Sequence, residues 1–279
     1  FPGMNTVRLW LSHDAYLRFP ERTVERVGEV LDMGADYGLE FIVTLFNGWH
    51  SYPDLGGLHP QSLREWHDGT LYEEGFEPYV DAILGEYADH EHVLLWDLCN
   101  EPLLSVQNRD GLADLEVDRS LVIYRFLERV YEQVLSHDPA APTTVGTMGN
   151  PVAVELFEPI AEVLSTHPYY AWNRGDTPEG LGETLDEIVA IANGAGKPLL
   201  ATETGWGALD DEKRAEAVDD ELSALEERDV GFTAHLLHHT PVADGHRQGH
   251  GPIYDAENMS FVDADGSLRA HHGVFNDYC

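Results

Sequence analysis

The stretch Val93-Leu94-Leu95-Trp96-Asp97-Leu98-Cys99-Asn100-Glu101-Pro102 decides how the chain is read. Its first seven residues are mostly apolar, the pattern of a strand covered on both faces. An amide, a carboxylate and a proline then follow in a row. Proline donates nothing to a ladder, so the strand stops there, on polar side chains.

Strand-like and helix-like runs alternate on either side of this stretch. Strands are predicted over residues 5–11, 40–46, 93–99, 143–147, 163–166, 198–202 and 231–237. Helices are predicted over 21–37, 74–88, 115–135, 152–161, 181–195 and 211–227, with a weaker one after Ser267. The 21–37 helix puts Val24, Val27, Val30 and Leu31 on one face, and Gly38 suits its C-cap. Seven strand–helix units without a change of composition argue for a single α/β domain over residues 1–279 with a parallel sheet. Trp10 and Trp96 fall inside strands and read as core.

An open doubly wound sheet and a (β/α)8 TIM barrel both fit this alternation. A nucleotide-binding open sheet carries a Gly-rich turn after its first strand. Here Ser12-His13-Asp14-Ala15 follows instead, and no Walker-type sequence occurs. Polar and aromatic residues recur just past the strand ends: Asn47 and Trp49, Asn100 and Glu101, His167 and Tyr169, Glu203 and Trp206, His235 and His238. In a barrel those positions share one rim, where the active sites of that fold lie.

Charge removes several partner classes. The 279 residues include 51 acidic and 16 basic ones, a net charge of −35, and Lys197 and Lys213 are the only lysines. Such a surface repels nucleic acid and anionic lipid. Acids spread through foldable helices, with almost no lysine, match a halophilic source in which salt screens self-repulsion. Cys99 and Cys279 make no disulfide framework. No apolar run approaches a membrane span and no signal peptide is read, so the compartment stays open between secreted and cytoplasmic.

Glu101 and Glu203 end two strands. Retaining glycoside hydrolysis needs two carboxylates on one rim, roughly 5 Å apart, one as proton donor and one as nucleophile. Asn100 offers an amide to a sugar hydroxyl, and Arg8 offers charge and hydrogen bonds that hold a carboxylate ionised.

These segments resemble the clan A (β/α)8 glycoside hydrolases, closest to the family 5 cellulase and mannanase group. Asn5-Thr6-Val7-Arg8-Leu9 resembles the second-strand motif, whose arginine supports the nucleophile. Trp96–Pro102 matches the fourth-strand Asn-Glu-Pro motif, whose glutamate is the acid/base. His167-Pro168-Tyr169 matches the sixth-strand His-x-Tyr, and Thr202-Glu203-Thr204-Gly205-Trp206 resembles the nucleophile segment. The resemblance implies a retaining β-glycosidase acting on a glucan- or mannan-type carbohydrate, with no cofactor and no metal. Two features depart from the family. The chain begins almost on the second-strand motif, so the resemblance predicts a (β/α)8 barrel lacking its first βα unit in this chain, either as an N-terminally truncated sequence or as a barrel that closes unusually. His235 stands where relatives carry a tryptophan beneath the sugar.

Trp49, Trp172 and Trp206 are candidates for sugar stacking, with loop anchoring as the alternative. Asn47 and His50 end the third-strand position, where relatives place a polar sugar contact. His235, His238, His239, His246 and His250, with Asp244, invite a metal reading, but their spacing matches no ligand motif. Asp263-Ala264-Asp265-Gly266 reads as a tight turn; with Asp255 and Glu257 nearby it invites a calcium reading, but the EF-hand pattern is absent. Two rivals to the glycosidase remain at this point: a metal-dependent barrel hydrolase and a catalytically silent carbohydrate-binding barrel.

Overall fold

The computed structural model describes residues 3–48, 70–103, 119–169, 177–237 and 259–279. The chain divides into two compact units. One comprises Asn5–Met148 and Leu156–Val163, the other Phe1–Met4, Gly149–Glu155 and Leu164–Cys279.

In the first unit, β1 (Thr6–Trp10), β2 (Glu40–Asn47), β3 (Val93–Asn100) and β4 (Thr143–Gly146) pair in sequence order, all parallel. Parallel neighbours need crossovers, and helices supply them. These are α1 (His13–Arg18) with α2 (Pro20–Asp36), a π-helical turn (Tyr72–Phe76) running into α3 (Glu77–Tyr87), and α4 (Arg119–Ser136). Pro20 opens α2, Val27 and Leu31 are its buried face, and Gly38 takes φ +68 just beyond its end. Phe41 to Asn47 of β2 are all buried, as a continuous apolar run requires. Phe46, Phe76, Tyr79 and Phe126 meet edge to face, with ring centroids 5.3–5.8 Å apart. His13 is buried among them, its Nε2–H donating to the Gly75 carbonyl of the π turn at 2.9 Å.

Two expectations change here. Residues 13–18, assigned to no helix or strand above, form α1, which the Ser12 hydroxyl caps by accepting from Ala15 N–H at 3.2 Å. Trp10, read as core, is 38% exposed, and Val7 is 36% exposed. β1 has β2 as its one strand neighbour among the described residues. Val7 and Trp10 lie on opposite faces of this strand, and Trp10 lies against the Arg8 guanidinium, 5.4 Å from ring to charge. Trp96 is fully buried, as expected.

In the second unit, β5 (Leu164–Thr166), β6 (Leu199–Thr204) and β7 (Gly231–Ala234) pair in parallel in that order. α6 (Pro178–Ala195) and α7 (Asp211–Glu226) are the crossovers, and α8 (His272–Phe275) lies near the end. α5 (Pro151–Phe157) and a 3-10 turn (Glu158–Ile160) precede β5. Thr177 caps α6 by accepting from Gly180 N–H at 3.1 Å, and Asp210 caps α7 by accepting from Lys213 N–H at 3.0 Å. Leu181, Leu185, Val218, Leu222 and Leu225 pack with Ala201, Phe261 and Phe275 in the core. Glu212, Glu216 and Asp219 stay on the solvated side of α7, where the acidic surplus was expected. The Asp263–Gly266 turn forms: Gly266 N–H donates to the Asp263 carbonyl at 2.9 Å, and Val262 bridges Leu268. Among the described residues, no helix is long and apolar enough to cross a membrane.

Candidate active site

The first half of the site grows from the end of β3. Asp97 interrupts an apolar strand and is fully buried, so its charge needs partners. Arg8 of β1 donates to Asp97 Oδ2 through Nε (3.1 Å) and Nη2 (2.7 Å). Thr44 of β2 donates to the same oxygen at 2.8 Å, and Gly146 N–H of β4 donates to Oδ1 at 2.9 Å. One carboxylate thus ties all four strands together.

Arg8 Nη2 also donates to Asn100 Oδ1 at 2.9 Å, and Asn100 Nδ2 donates to Asn47 Oδ1 at 3.0 Å. The Asn100 amide is therefore oriented from both ends. Beside it, Cys99 is buried, and burial together with Asp97 pushes its thiol pKa well up. That holds it as an inert thiol.

Glu101 leaves the strand at φ +43, a left-handed conformation costing a non-glycine residue about 1 kcal/mol. The ladder shifts register between Asp97 and Asn100, and such irregularities re-aim side chains at sheet ends. The turn is held by Glu101 N–H donating to the Gly146 carbonyl and Gly48 N–H donating to the Asn100 carbonyl, both at 2.7 Å. Gly48 is obligatory: a Cβ there would stand 2.2 Å from the Glu101 carbonyl oxygen.

The second half grows from β6. Glu203 lies inside the strand rather than just past it, because β6 runs on to Thr204. The β6–β7 register shifts between Ala201 and Thr204, around the carboxylate. Tyr169 O–H donates to Glu203 Oε1. His235 Nδ1 is 3.7 Å from that oxygen, and His167 Nδ1 is 3.9 Å from Oε2. Glu101 and Glu203 are each buried to 7% exposure.

Trp206 is 1% exposed and packs on Tyr169, ring centroids 5.9 Å apart, with Met259 and Ala217 behind it. It offers no open face for stacking; its burial matches the anchoring alternative, a wall that keeps Tyr169 on Glu203. His235 is half-buried, with its ring edge-on to Tyr169.

The structure groups Arg8, Asn47, Asn100 and Glu101 in the first unit, and His167, Tyr169, Glu203, Trp206 and His235 in the second unit. Trp49, His50, Trp172, His238, His239, Asp244, His246, His250, Asp255 and Glu257 lie outside the described residues. Asp263 and Asp265 serve their own turn: they accept from Ala264 and Ser267 N–H, and Asp263 pairs with Arg269 at 3.1 Å. Asp97 and Gly48 were missed. A lone charge inside an apolar strand was the available signal for Asp97.

A family model, Cellulase (glycosyl hydrolase family 5), matches residues 2–239. The chain belongs to this family, and its fold class is the (β/α)8 barrel. Among curated proteins it is similar to mannan endo-1,4-beta-mannosidase F of Aspergillus clavatus, 24% identical over 231 residues, covering 73% of this chain and 50% of that protein. It is also similar to mannan endo-1,4-beta-mannosidase F of Aspergillus fumigatus, 22% identical over 161 residues, covering 57% of this chain and 33% of that one. The chain thus spans half or less of these relatives' lengths. Among solved structures, the endo-beta-1,4-mannanase from Thermotoga petrophila matches with a TM-score of 0.69 at 16% identity, covering 99% of this chain and 70% of that one. A beta-glucuronidase 2 mutant from Bacteroides uniformis matches with a TM-score of 0.67 at 17% identity, covering 99% and 30%.

Proposed function

We propose that residues 1–279 act as one catalytic domain, a retaining β-glycosidase that hydrolyses O-glycosidic bonds of a β-linked polysaccharide or oligosaccharide. Mannan is the first substrate and glucan the second, a choice supported by the mannosidase names of the relatives. Glu203 attacks the anomeric carbon while Glu101 protonates the leaving oxygen. Glu101 then takes a proton from water, which displaces Glu203 and releases the sugar with its configuration retained. Asn100 binds the hydroxyl beside the anomeric carbon. Arg8, His167 and Tyr169 orient and tune the carboxylates, and Asn47, Trp49 and Trp172 contribute contacts to the sugar. The chemistry of these residues requires no cofactor.

The observation that carries this reading is the setting of Glu203: one buried carboxylate, with a phenol donating to it and two imidazoles beside it. Donors converging on a carboxylate hold it in a fixed direction, as in-line attack on carbon needs. His235 gives the sugar a smaller floor than an indole, so sugar preference turns on this residue. The resemblance of Asn5–Leu9 to the second-strand motif, with the exposure of Val7 and Trp10 of β1, supports the finer fold reading, in which these seven strands are the second to eighth of the barrel. The acidic surplus supports a halophilic protein that works in molar salt.

The test is turnover of β-mannan, β-glucan and aryl β-glycosides in molar salt by the wild type, Glu203→Gln and Glu101→Gln. Each variant loses at least about a thousandfold in kcat on its best substrate. Turnover retained by Glu203→Gln refutes the assignment. Loss on chelation favours a metal-dependent hydrolase, and binding without products favours a silent binding protein.

A further inference from the structure

A buried arginine stands behind the Tyr169–Trp206 wall, and the proposed reaction does not use it. α7 turns Arg214 inward to 2% exposure. Its Nε and Nη2 both donate to the Ala208 carbonyl, at 3.0 and 2.8 Å, and Nη1 donates to Asp211 Oδ1 at 2.8 Å. The Asp211 side chain is itself 67% exposed. A guanidinium keeps its charge at every working pH, so burying one is costly. The start of α7 does not require it. The Asp210 side chain already caps the helix, and Arg214 N–H closes the first turn on the Asp210 carbonyl at 3.0 Å. What the buried fork holds is the loop, residues 205–210.

That loop carries Trp206, and it needs holding from its far end. It leaves β6 through Gly205 at φ +124, and glycine has the least constrained backbone of any residue. Ala208, 1% exposed, packs in one cluster with Trp206, Tyr169, Ala217 and Met259, while its carbonyl sits on the guanidinium. Trp206 lies edge-on to Tyr169, whose O–H donates to Glu203 Oε1. A continuous set of contacts therefore runs from Arg214 to Glu203 within one compact unit.

We propose that Arg214 is a positioning residue, which pins the loop through the Ala208 carbonyl so that Trp206 keeps Tyr169 on Glu203. The pinning stands on the contacts above. Its effect on rate rests on the reading of Glu203 as the nucleophile.

The test reads both in the full chain, in molar salt. With fluorotyrosine incorporated, 19F NMR reports the setting of Tyr169, and Tyr169→Phe assigns its signal. Arg214→Met shifts that signal. Asp211→Ala, which removes the ion pair and keeps the Ala208 contact, does not. On the best glycoside substrate Arg214→Met lowers kcat roughly tenfold with KM within about twofold, the size of one hydrogen bond loosened at the nucleophile. Asp211→Ala stays within about twofold in both, as the loss of an exposed ion pair should. Tyr169→Phe lowers kcat by at least as much as Arg214→Met. Adding Arg214→Met to it costs nothing further, since residues acting through one contact are not additive. If Arg214→Met does not fold, Arg214→Lys offers one point donor in place of the fork. It gives a smaller shift and about a threefold loss in kcat, again absent in the Tyr169→Phe background. A Tyr169 signal unmoved by the Arg214 substitution, or moved as far by Asp211→Ala, overturns the proposal. So does an unchanged kcat, or losses that multiply in the double variant. A shifted signal in a chain that turns over no glycoside upholds the pinning and refutes the glycosidase reading.

Discussion

His271, at the entry to α8, is fully buried, and its Nε2–H donates to the Met259 carbonyl at 3.3 Å. Its ring also packs on Phe261, centroids 5.5 Å apart. Burial, then the nearby guanidinium of Arg214, depress its pKa from 6.5 to about 4. A buried neutral histidine favours folding above its unfolded-state pKa. Below 6.5 the unfolded chain takes up a proton that the folded one refuses, so stability falls with pH until the folded ring also titrates near 4. With those two values, the loss is about 2 kcal/mol near pH 5 and about 3 kcal/mol near pH 4.

Urea unfolding at pH 7, 5 and 4 in molar salt measures this for the wild type and for His271→Leu. Carboxylates common to both contribute equally, so the difference isolates the ring. At pH 7 the variant lies within about 1.5 kcal/mol of the wild type, the worth of one hydrogen bond. On acidification the wild type loses about 2–3 kcal/mol more than the variant. Parallel acid profiles for the two proteins would refute the reasoning.

Three further outcomes are expected. Gly48→Ala sets a methyl against the Glu101 carbonyl, displacing the proposed acid/base by about 1 Å and lowering kcat by about a hundredfold, read in steady-state kinetics. Asp97→Asn leaves the Arg8 charge buried without its counterion; it costs about 3–5 kcal/mol in denaturant titration and lowers kcat through the loosened Asn100 amide. Thermal scans from dilute to molar sodium chloride should show Tm climbing as 51 acidic groups are screened, and a flat profile would contradict the halophilic reading.

The alternation of apolar runs was legible because each run is local. Val93–Cys99 declares a covered strand without reference to any other part of the chain, and the polar residues after it mark the strand's end. Asn100, Glu101, His167, Tyr169 and Glu203 were visible for the same reason, as polar residues at or just past strand ends, and Arg8 as the one charge within its strand. What stayed hidden depends on distant partners. Asp97 acquires its meaning from Arg8, 89 residues away, and Gly48 from a carbonyl on the neighbouring strand. Trp206 looked like a sugar platform three residues from Glu203, but Tyr169 and Met259 bury it. Trp10 looked like core because it lies within a strand, yet it is partly exposed and covers the Arg8 guanidinium. The π turn arises where His13 reaches the Gly75 carbonyl, a contact no local pattern encodes.

The central claim is that Glu203 is the nucleophile. Incubation with activated 2-deoxy-2-fluoro-β-mannosides and β-glucosides, followed by proteolysis and peptide mass spectrometry, tests it most directly. The account predicts one fluoro-sugar adduct, on the peptide carrying Glu203, and none in Glu203→Gln. An adduct on a different residue, or products released with inverted configuration, would contradict it.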